Sequence, residues 1–205
     1  MNYTTIASLG DITKTTEALK ANGIEAHVVQ TESDALAKII ELIPQGASVM
    51  NGSSRTLEQI GFVEYLKGGM HGWNNLHAGI VAETDETKQA VLRKQAILSD
   101  YYLGSVHGLA QTGEFIVASN TGSQLPHIVY SSQNLIFVTG AQKIVPTLSD
   151  ALKRLDDHVI PLENARMQEQ YHMDTQLSKV VLFKKENPFM GRKVRMIIVN
   201  KSLGF

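Results

Sequence analysis

Cysteine is absent from the 205 residues. Disulfides, thiolate zinc sites, a cysteine nucleophile and iron–sulfur clusters held by the chain itself all need it, so each is excluded. An excess of charge of either sign is also missing: 19 Lys and Arg face 20 Asp and Glu, leaving a formal charge of −1. Such a chain has no field to steer it toward nucleic acid or acidic lipid, and neither is expected as a partner. No apolar run approaches the ~20 residues of a membrane span. The opening Met1–Asp11 lacks the basic and apolar regions of a secretory signal, so a cytoplasmic location is expected.

Several chemical signatures are missing as well. The seven histidines (His27, His71, His77, His107, His127, His158 and His172) show no H-E-x-x-H or other ligand spacing. No metal site is therefore expected, and no cofactor is evident. Neither G-x-x-x-x-G-K-[ST] nor G-x-G-x-x-G occurs, and no G-x-S-x-G elbow marks a serine hydrolase. What is left has an ordinary globular composition, 43% apolar and 19% charged. A chain of this length buries on the order of 70% of its unfolded surface, which needs no covalent staple. Residues 1–205 read as one domain.

Periodicity gives alternating helices and strands. Asp11–Asn22 has Ile12, Thr15, Ala18 and Leu19 on one face, and Asn22-Gly23 supplies its stop. Glu25–Gln30 reads as a strand. A helix capped by Ser33 or Asp34 follows and ends before Pro44; Ala47–Asn51 is a buried strand, and the next helix carries Leu57, Ile60, Val63 and Leu66. Gly68–Ala78 reads as a loop or lid. A helix over Asp85–Ser99 leads to strands at Tyr101–Val106, Glu114–Ala118 and Leu135–Thr139. Helices then start near Pro146 and Pro161. Strands at Lys179–Phe183 and Val194–Asn200 are expected to pair as a C-terminal antiparallel hairpin. The alternation predicts an α/β fold, an open and mostly parallel sheet flanked by helices.

Three polar, glycine-bearing turns follow buried strands: Asn51–Thr56 (N-G-S-S-R-T), Asn120–Gln124 (N-T-G-S-Q) and Thr139–Lys143 (T-G-A-Q-K). Turns of this composition leave backbone N–H groups free for an anionic or polar ligand. Gly52, Ser53, Ser54 and Thr56 open a helix and form a candidate anion loop; the alternative is a plain serine N-cap with no ligand. Asn120, Gly122, Ser123 and Gln124 form either a second ligand loop or a connection with Gly122 at positive φ. Gly140 and Lys143 belong to the third turn, where Lys143 either neutralises an anion or stays solvated. Glu114, at the start of a strand, is the candidate general base or nucleophile, against an exposed edge glutamate. His107, in S-V-H-G after a strand, is the histidine best placed near such a pocket.

With these turns in view, the chain resembles the LUD-domain (lactate utilisation) family. The resemblance lies in N-G-S-S-R-T-L-E-Q-I-G (Asn51–Gly61), S-D-Y-Y-L-G-S-V-H-G (Ser99–Gly108) and T-G-E-F-I-V-A-S-N-T-G-S-Q-L-P (Thr112–Pro126). It continues through T-G-A-Q-K-I-V-P (Thr139–Pro146), P-L-E-N-A-R (Pro161–Arg166) and the ending M-I-I-V-N-K-S-L-G-F. It is clearest over 33–205, with 1–32 as a helix–strand N-terminal extension. The resemblance implies a fold similar to ribose-5-phosphate isomerase, glucosamine-6-phosphate deaminase and CoA transferases, with a pocket at the strand C-termini. In those relatives, glycine and serine turns hold phosphate or acyl-CoA and an acidic residue does the chemistry. One departure is Thr121-Gly122-Ser123-Gln124, where many members carry Gly-Asn-Arg and its bidentate anion contact.

Three functions follow as expectations. The resemblance implies an accessory component of lactate or organic-acid utilisation, working with iron–sulfur partner subunits that supply the clusters this chain cannot hold. The second is a free-standing isomerase or transferase on a phosphorylated sugar or acyl-CoA, using Glu114. The third is a metabolite-binding sensor. All three take a small anionic metabolite, and a homo-oligomer is expected.

Overall fold

The computed structural model describes Met1–Phe205. Helix α1 (Leu9–Ala21) starts at Ser8, whose hydroxyl accepts the Asp11 N–H, and buries Ile12, Thr15 and Leu19. Strand β1 (Glu25–Val29) leads into α2 (Glu32–Leu42), which opens on a reciprocal capping box between Thr31 and Asp34. After β2 (Ser48–Asn51) come α3 (Arg55–Gln59) and α4 (Phe62–Lys67), separated where Gly61 takes φ 78°. Short strand β3 (Asn74–Asn75) precedes α5 (Leu76–Ala82) and α6 (Glu86–Gln95).

Strands β4 (Tyr101–Gly104), β5 (Gly108–Ala110) and β6 (Phe115–Ser119) follow, then a π-helical turn at His127–Ser131. Next are β7 (Asn134–Gly140) and β8 (Ile144–Val145), joined through a 3-10 turn at Ala141–Lys143. Helix α7 (Leu148–Arg154) passes through a π-helical turn (Leu155–Val159) into α8 (Ile160–Tyr171). Strands β9 (Lys179–Phe183) and β10 (Lys193–Val199) complete the order.

Six strands form an all-parallel sheet in the order β1-β10-β7-β4-β2-β3. A second, mixed sheet runs β8-β5-β6-β9. Side chains alternate between the faces of the parallel sheet, as its pleat requires. Leu135 and Phe137 of β7, with Met196 and Ile198 of β10, meet Ile12 and Leu19 of α1 and Phe115 of β6. Ile136 and Val138, with Ile197 and Val199, meet Ala35 and Ile39 of α2 and Leu57 and Phe62 of α3 and α4. Phe115 joins the two sheets: it stacks on Phe183 at 4.7 Å and meets the Phe137 ring edge-on at 5.1 Å. Each such side chain contributes about 1.5–3 kcal/mol on burial.

Two expectations need correction. The strands at Lys179–Phe183 and Val194–Asn200 both form, but not as a hairpin. β9 pairs antiparallel with β6 at the edge of the mixed sheet, whereas β10 lies between β1 and β7 in the parallel sheet. The reason is burial. β10 is buried on both faces from Val194 to Val199 and ends in the apolar run Met196–Val199, the signature of a central parallel strand. β9 leaves Val180 and Leu182 exposed, which suits an edge.

Gly68–Ala78 is not a lid. His71 and Trp73 are buried there, Trp73 donates its indole N–H to the Ile43 carbonyl at 3.2 Å, and His71 Nδ1 accepts the Trp73 N–H at 3.0 Å. A segment anchored by its largest side chains holds the α4–α5 connection to the core.

Candidate functional site

A cavity of about 300 Å³ opens at the C-terminal ends of the strands. The residues following β2 (Gly52–Thr56), β4 (Ser105–His107), β6 (Asn120, Thr121, Ser123, Gln124) and β7 (Lys143) line it. Gly204 and Phe205, beyond β10, close one side, and α8 with Thr175–Leu177 forms the outer wall. The parallel strands β2, β4 and β7 place their carboxyl ends together, so their turns converge here, and the mixed sheet brings the end of β6 against them.

Glycine permits the closest approaches. A Cβ on Gly52 would fall 2.5 Å from the Tyr102 hydroxyl and 2.9 Å from Gln124 Oε1. Tyr102 donates to that same Gln124 oxygen at 3.1 Å, and Gln124 Nε2 donates to the Ala118 carbonyl at 3.1 Å. The first and second turns are thus locked together by one tyrosine and one glutamine. Ser54 caps α3, accepting the Leu57 N–H at 3.3 Å. Its role as a helix cap is met, and it lines the cavity as well.

Lys143 is the centre of the site. Its side chain is buried, and Nζ donates to Thr56 Oγ1 (3.2 Å), Ser105 Oγ (3.2 Å) and the Val106 carbonyl (3.1 Å). Ser105 Oγ in turn lies 3.1 Å from Thr56 Oγ1. No carboxylate pairs with it. Burial, with the Arg154 guanidinium nearby, pulls the ammonium down from 10.5 to about 7.

Arg154 itself is fully buried and also has no ion pair; Nη1 donates to the His107 carbonyl, while Nε and Nη2 find no partner. Its guanidinium lies over the Tyr3 ring at 6.0 Å. His107 accepts the Ala118 N–H on Nδ1 at 3.0 Å, and burial together with Lys143 and Arg154 lowers it to about 3. It is a neutral imidazole on the cavity wall.

The structure separates some of the sequence-selected residues from this cavity. Gly52, Ser53, Ser54, Thr56, His107, Asn120, Ser123, Gln124 and Lys143 line it; Glu114, Gly122 and Gly140 do not. Glu114 precedes β6 at the end opposite to Ser119, roughly 16 Å away at ~3.3 Å per residue. Its carboxylate accepts from the Thr112 hydroxyl instead. Gly122 takes the positive φ expected of it, 85°, and shapes the second turn from behind. Gly140 acts by close approach: a Cβ there would sit 2.6 Å from the Leu203 amide nitrogen, so glycine lets the segment after β10 lie beside Lys143.

Sequence reasoning missed Ser105, Arg154, Glu163 and Arg166. The acid on the cavity wall is Glu163 of α8, which is paired with Arg166. Ser105 stood two residues before His107 in S-V-H-G, a signal available in the sequence. Arg154 carries none, because the His107 carbonyl and the Tyr3 ring reach it only after folding.

Fold and site together define an α/β protein with a ligand-sized cavity at the carboxyl edge of a parallel sheet. The LUD domain model matches residues 12–175, and the chain belongs to the LUD-domain family. It is similar in structure to a DUF162 family protein from Deinococcus radiodurans, with a TM-score of 0.56 and 12% sequence identity, covering 95% of this chain and 99% of that one. That likeness is one of fold. No curated protein matches the sequence.

Proposed function

We propose that this protein binds a small anionic metabolite in the cavity and serves the utilisation of lactate or a related organic acid, with iron–sulfur partner subunits. One observation carries the anion: Lys143 lines the cavity, buried and without a paired carboxylate, and Arg154, buried against His107 of the wall, has no ion pair either. Buried charges are ordinarily paired, and an unpaired one costs several kcal/mol. An anionic ligand supplies the missing partner. The organic-acid role and the iron–sulfur subunits rest on the family resemblance and on the absence of cysteine, which leaves any cluster to another chain. No helix is long and apolar enough to cross a membrane, and the proposed setting is the cytoplasm, as a homo-oligomer. The reading is tested by deleting the gene and following growth on lactate while isolating the tagged protein. Loss of growth and recovery of an iron–sulfur subunit support it; normal growth with no such partner contradicts it.

The hydroxyl-rich wall of Ser53, Ser54 and Thr56 favours a second reading, an enzyme acting on a phosphorylated sugar or acyl-CoA. In that case Glu114 lies too far from the cavity to act, and the acid within reach is Glu163. A metabolite sensor uses the same cavity without turnover.

A further inference from the structure

We propose that Lys143 captures carbonyl compounds: its amine condenses with the carbonyl carbon of a small 2-oxo acid held in the cavity. This rests on the anion reading above and goes beyond it, from an electrostatic contact to a covalent one.

Lys143 Nζ meets no opposite charge in the fold. Its three hydrogen-bond partners are neutral oxygens, those of Thr56, Ser105 and Val106. The titratable groups near it are Arg154, His107 and His158; burial lowers both histidines, and positive charge on Lys143 and Arg154 lowers them further. No group facing Lys143 stabilises an ammonium by charge. A desolvated lysine beside a second cation is the arrangement that frees an amine for nucleophilic attack.

The hydroxyls add a second element. A carbonyl only accepts hydrogen bonds, so Val106 fixes one N–H of Lys143. Thr56 and Ser105 can each donate or accept, and they lie 3.1 Å apart. They can therefore hold Nζ in either protonation state and pass a proton between them. The step balances without an oxidant or reductant. The Nζ lone pair forms a C–N bond to the carbonyl carbon, and one N–H proton moves through the hydroxyl pair to the former carbonyl oxygen, giving a carbinolamine. The second N–H proton follows the same route as the C–O bond breaks, so that oxygen leaves as water and C=N replaces C=O. Arg154 lies behind the cavity wall, close enough to act on Lys143 by charge, and its positive field adds to the attraction for the oxo acid's carboxylate.

The experiment incubates the purified protein with pyruvate or glyoxylate at neutral pH, adds sodium borohydride and maps the reduced adducts by peptide mass spectrometry. Lys143 should be modified about tenfold or more above the exposed Lys67, Lys94 and Lys184. Lactate and glycolate, which have no carbonyl, should leave no adduct. Lys143→Met should retain only the surface background, and the comparison among lysines within the wild-type protein stands without the variant. Modification of Lys143 no greater than that of the exposed lysines overturns the proposal. Thermal shifts with the same acids separate the two readings. Stabilisation by lactate and pyruvate without an adduct removes the imine and keeps the anion site, whereas no stabilisation by any anion removes both.

Discussion

The Nζ of Lys143 and the hydroxyl of Thr56 lie 3.2 Å apart although 87 residues separate them in the chain. Between them they join the turn after β7 to the start of α3, deep in the cavity and without a carboxylate to balance the ammonium. That imbalance costs stability in the empty protein, so its removal should show.

Lys143→Met should raise the melting temperature, and more so in acid than in base. The lysine is held at about 7 in the fold against 10.5 when unfolded. Between those values the unfolded chain binds a proton that the folded chain does not, so wild-type stability rises with pH across this window. Below pH 7 the burial penalty is complete. Each kcal/mol recovered is worth about 2–4 °C for a chain of this size. Melting curves at pH 6 and pH 10 check this: the variant's advantage should shrink at the higher pH, and an equal gain at both would contradict the assignment.

Gly52→Ala should destabilise the fold by about 1–3 kcal/mol, because the new methyl meets the Tyr102 hydroxyl and Gln124. Tyr102→Phe in the same chain removes the nearest clash, so the double variant should lose less than the sum of the single ones. Denaturant unfolding of the four proteins measures the coupling. Strict additivity would mean that the turns do not meet as described.

Glu114→Gln should leave ligand binding unchanged and alter stability by no more than about 0.5 kcal/mol, the usual range for a surface change. Glu163→Gln should instead change ligand affinity, since it frees Arg166 on the cavity wall. Calorimetric titration of both variants with the same ligand distinguishes the two acids. An effect confined to Glu114→Gln would return the chemistry to the far end of β6.

Acid should weaken the fold below about pH 6.5 through two desolvated histidines, His127 in the core and His107 on the cavity wall. His107 is lowered to about 3 and His127 to about 4, both mainly by burial. As pH falls from 6.5 toward these values the unfolded chain takes up protons that the folded chain refuses, so stability is lost. His127 stacks on Tyr102 at 4.6 Å and shares hydrogen bonds with Ser99 and Ser132. His127→Gln should flatten the pH dependence between about 4 and 6.5 in thermal melts; an unchanged slope would show that this histidine already titrates normally.

Much of the fold is legible in the sequence because local signals and global packing agree. The apolar faces of α1 and α2, the buried run of β7 and the positive φ of Gly122 all follow from residue type and spacing. The pairing of β10 does not, because which strands neighbour one another is decided by long-range burial. Proximity along the chain favours a hairpin with β9, and two-sided enclosure overrides it. The site divides in the same way. Polar turns after strands point to Gly52–Thr56 and Lys143, since a parallel sheet gathers such turns at one edge, and to Asn120–Gln124, which the mixed sheet brings to the same place. Glu114 carries its charge at a strand end, yet that is the end of β6 away from the cavity. Arg154 was invisible because its importance comes from what it lacks, and a missing partner exists only in three dimensions.

Calorimetric titration of lactate, pyruvate and phosphate into the wild-type protein and Lys143→Met at neutral pH tests the central claim most directly. The account predicts saturable binding of at least one of these anions to the wild-type protein, weakened tenfold or more, about 1.4 kcal/mol, in the variant. Equal binding by both proteins, or none by the wild type, would contradict it.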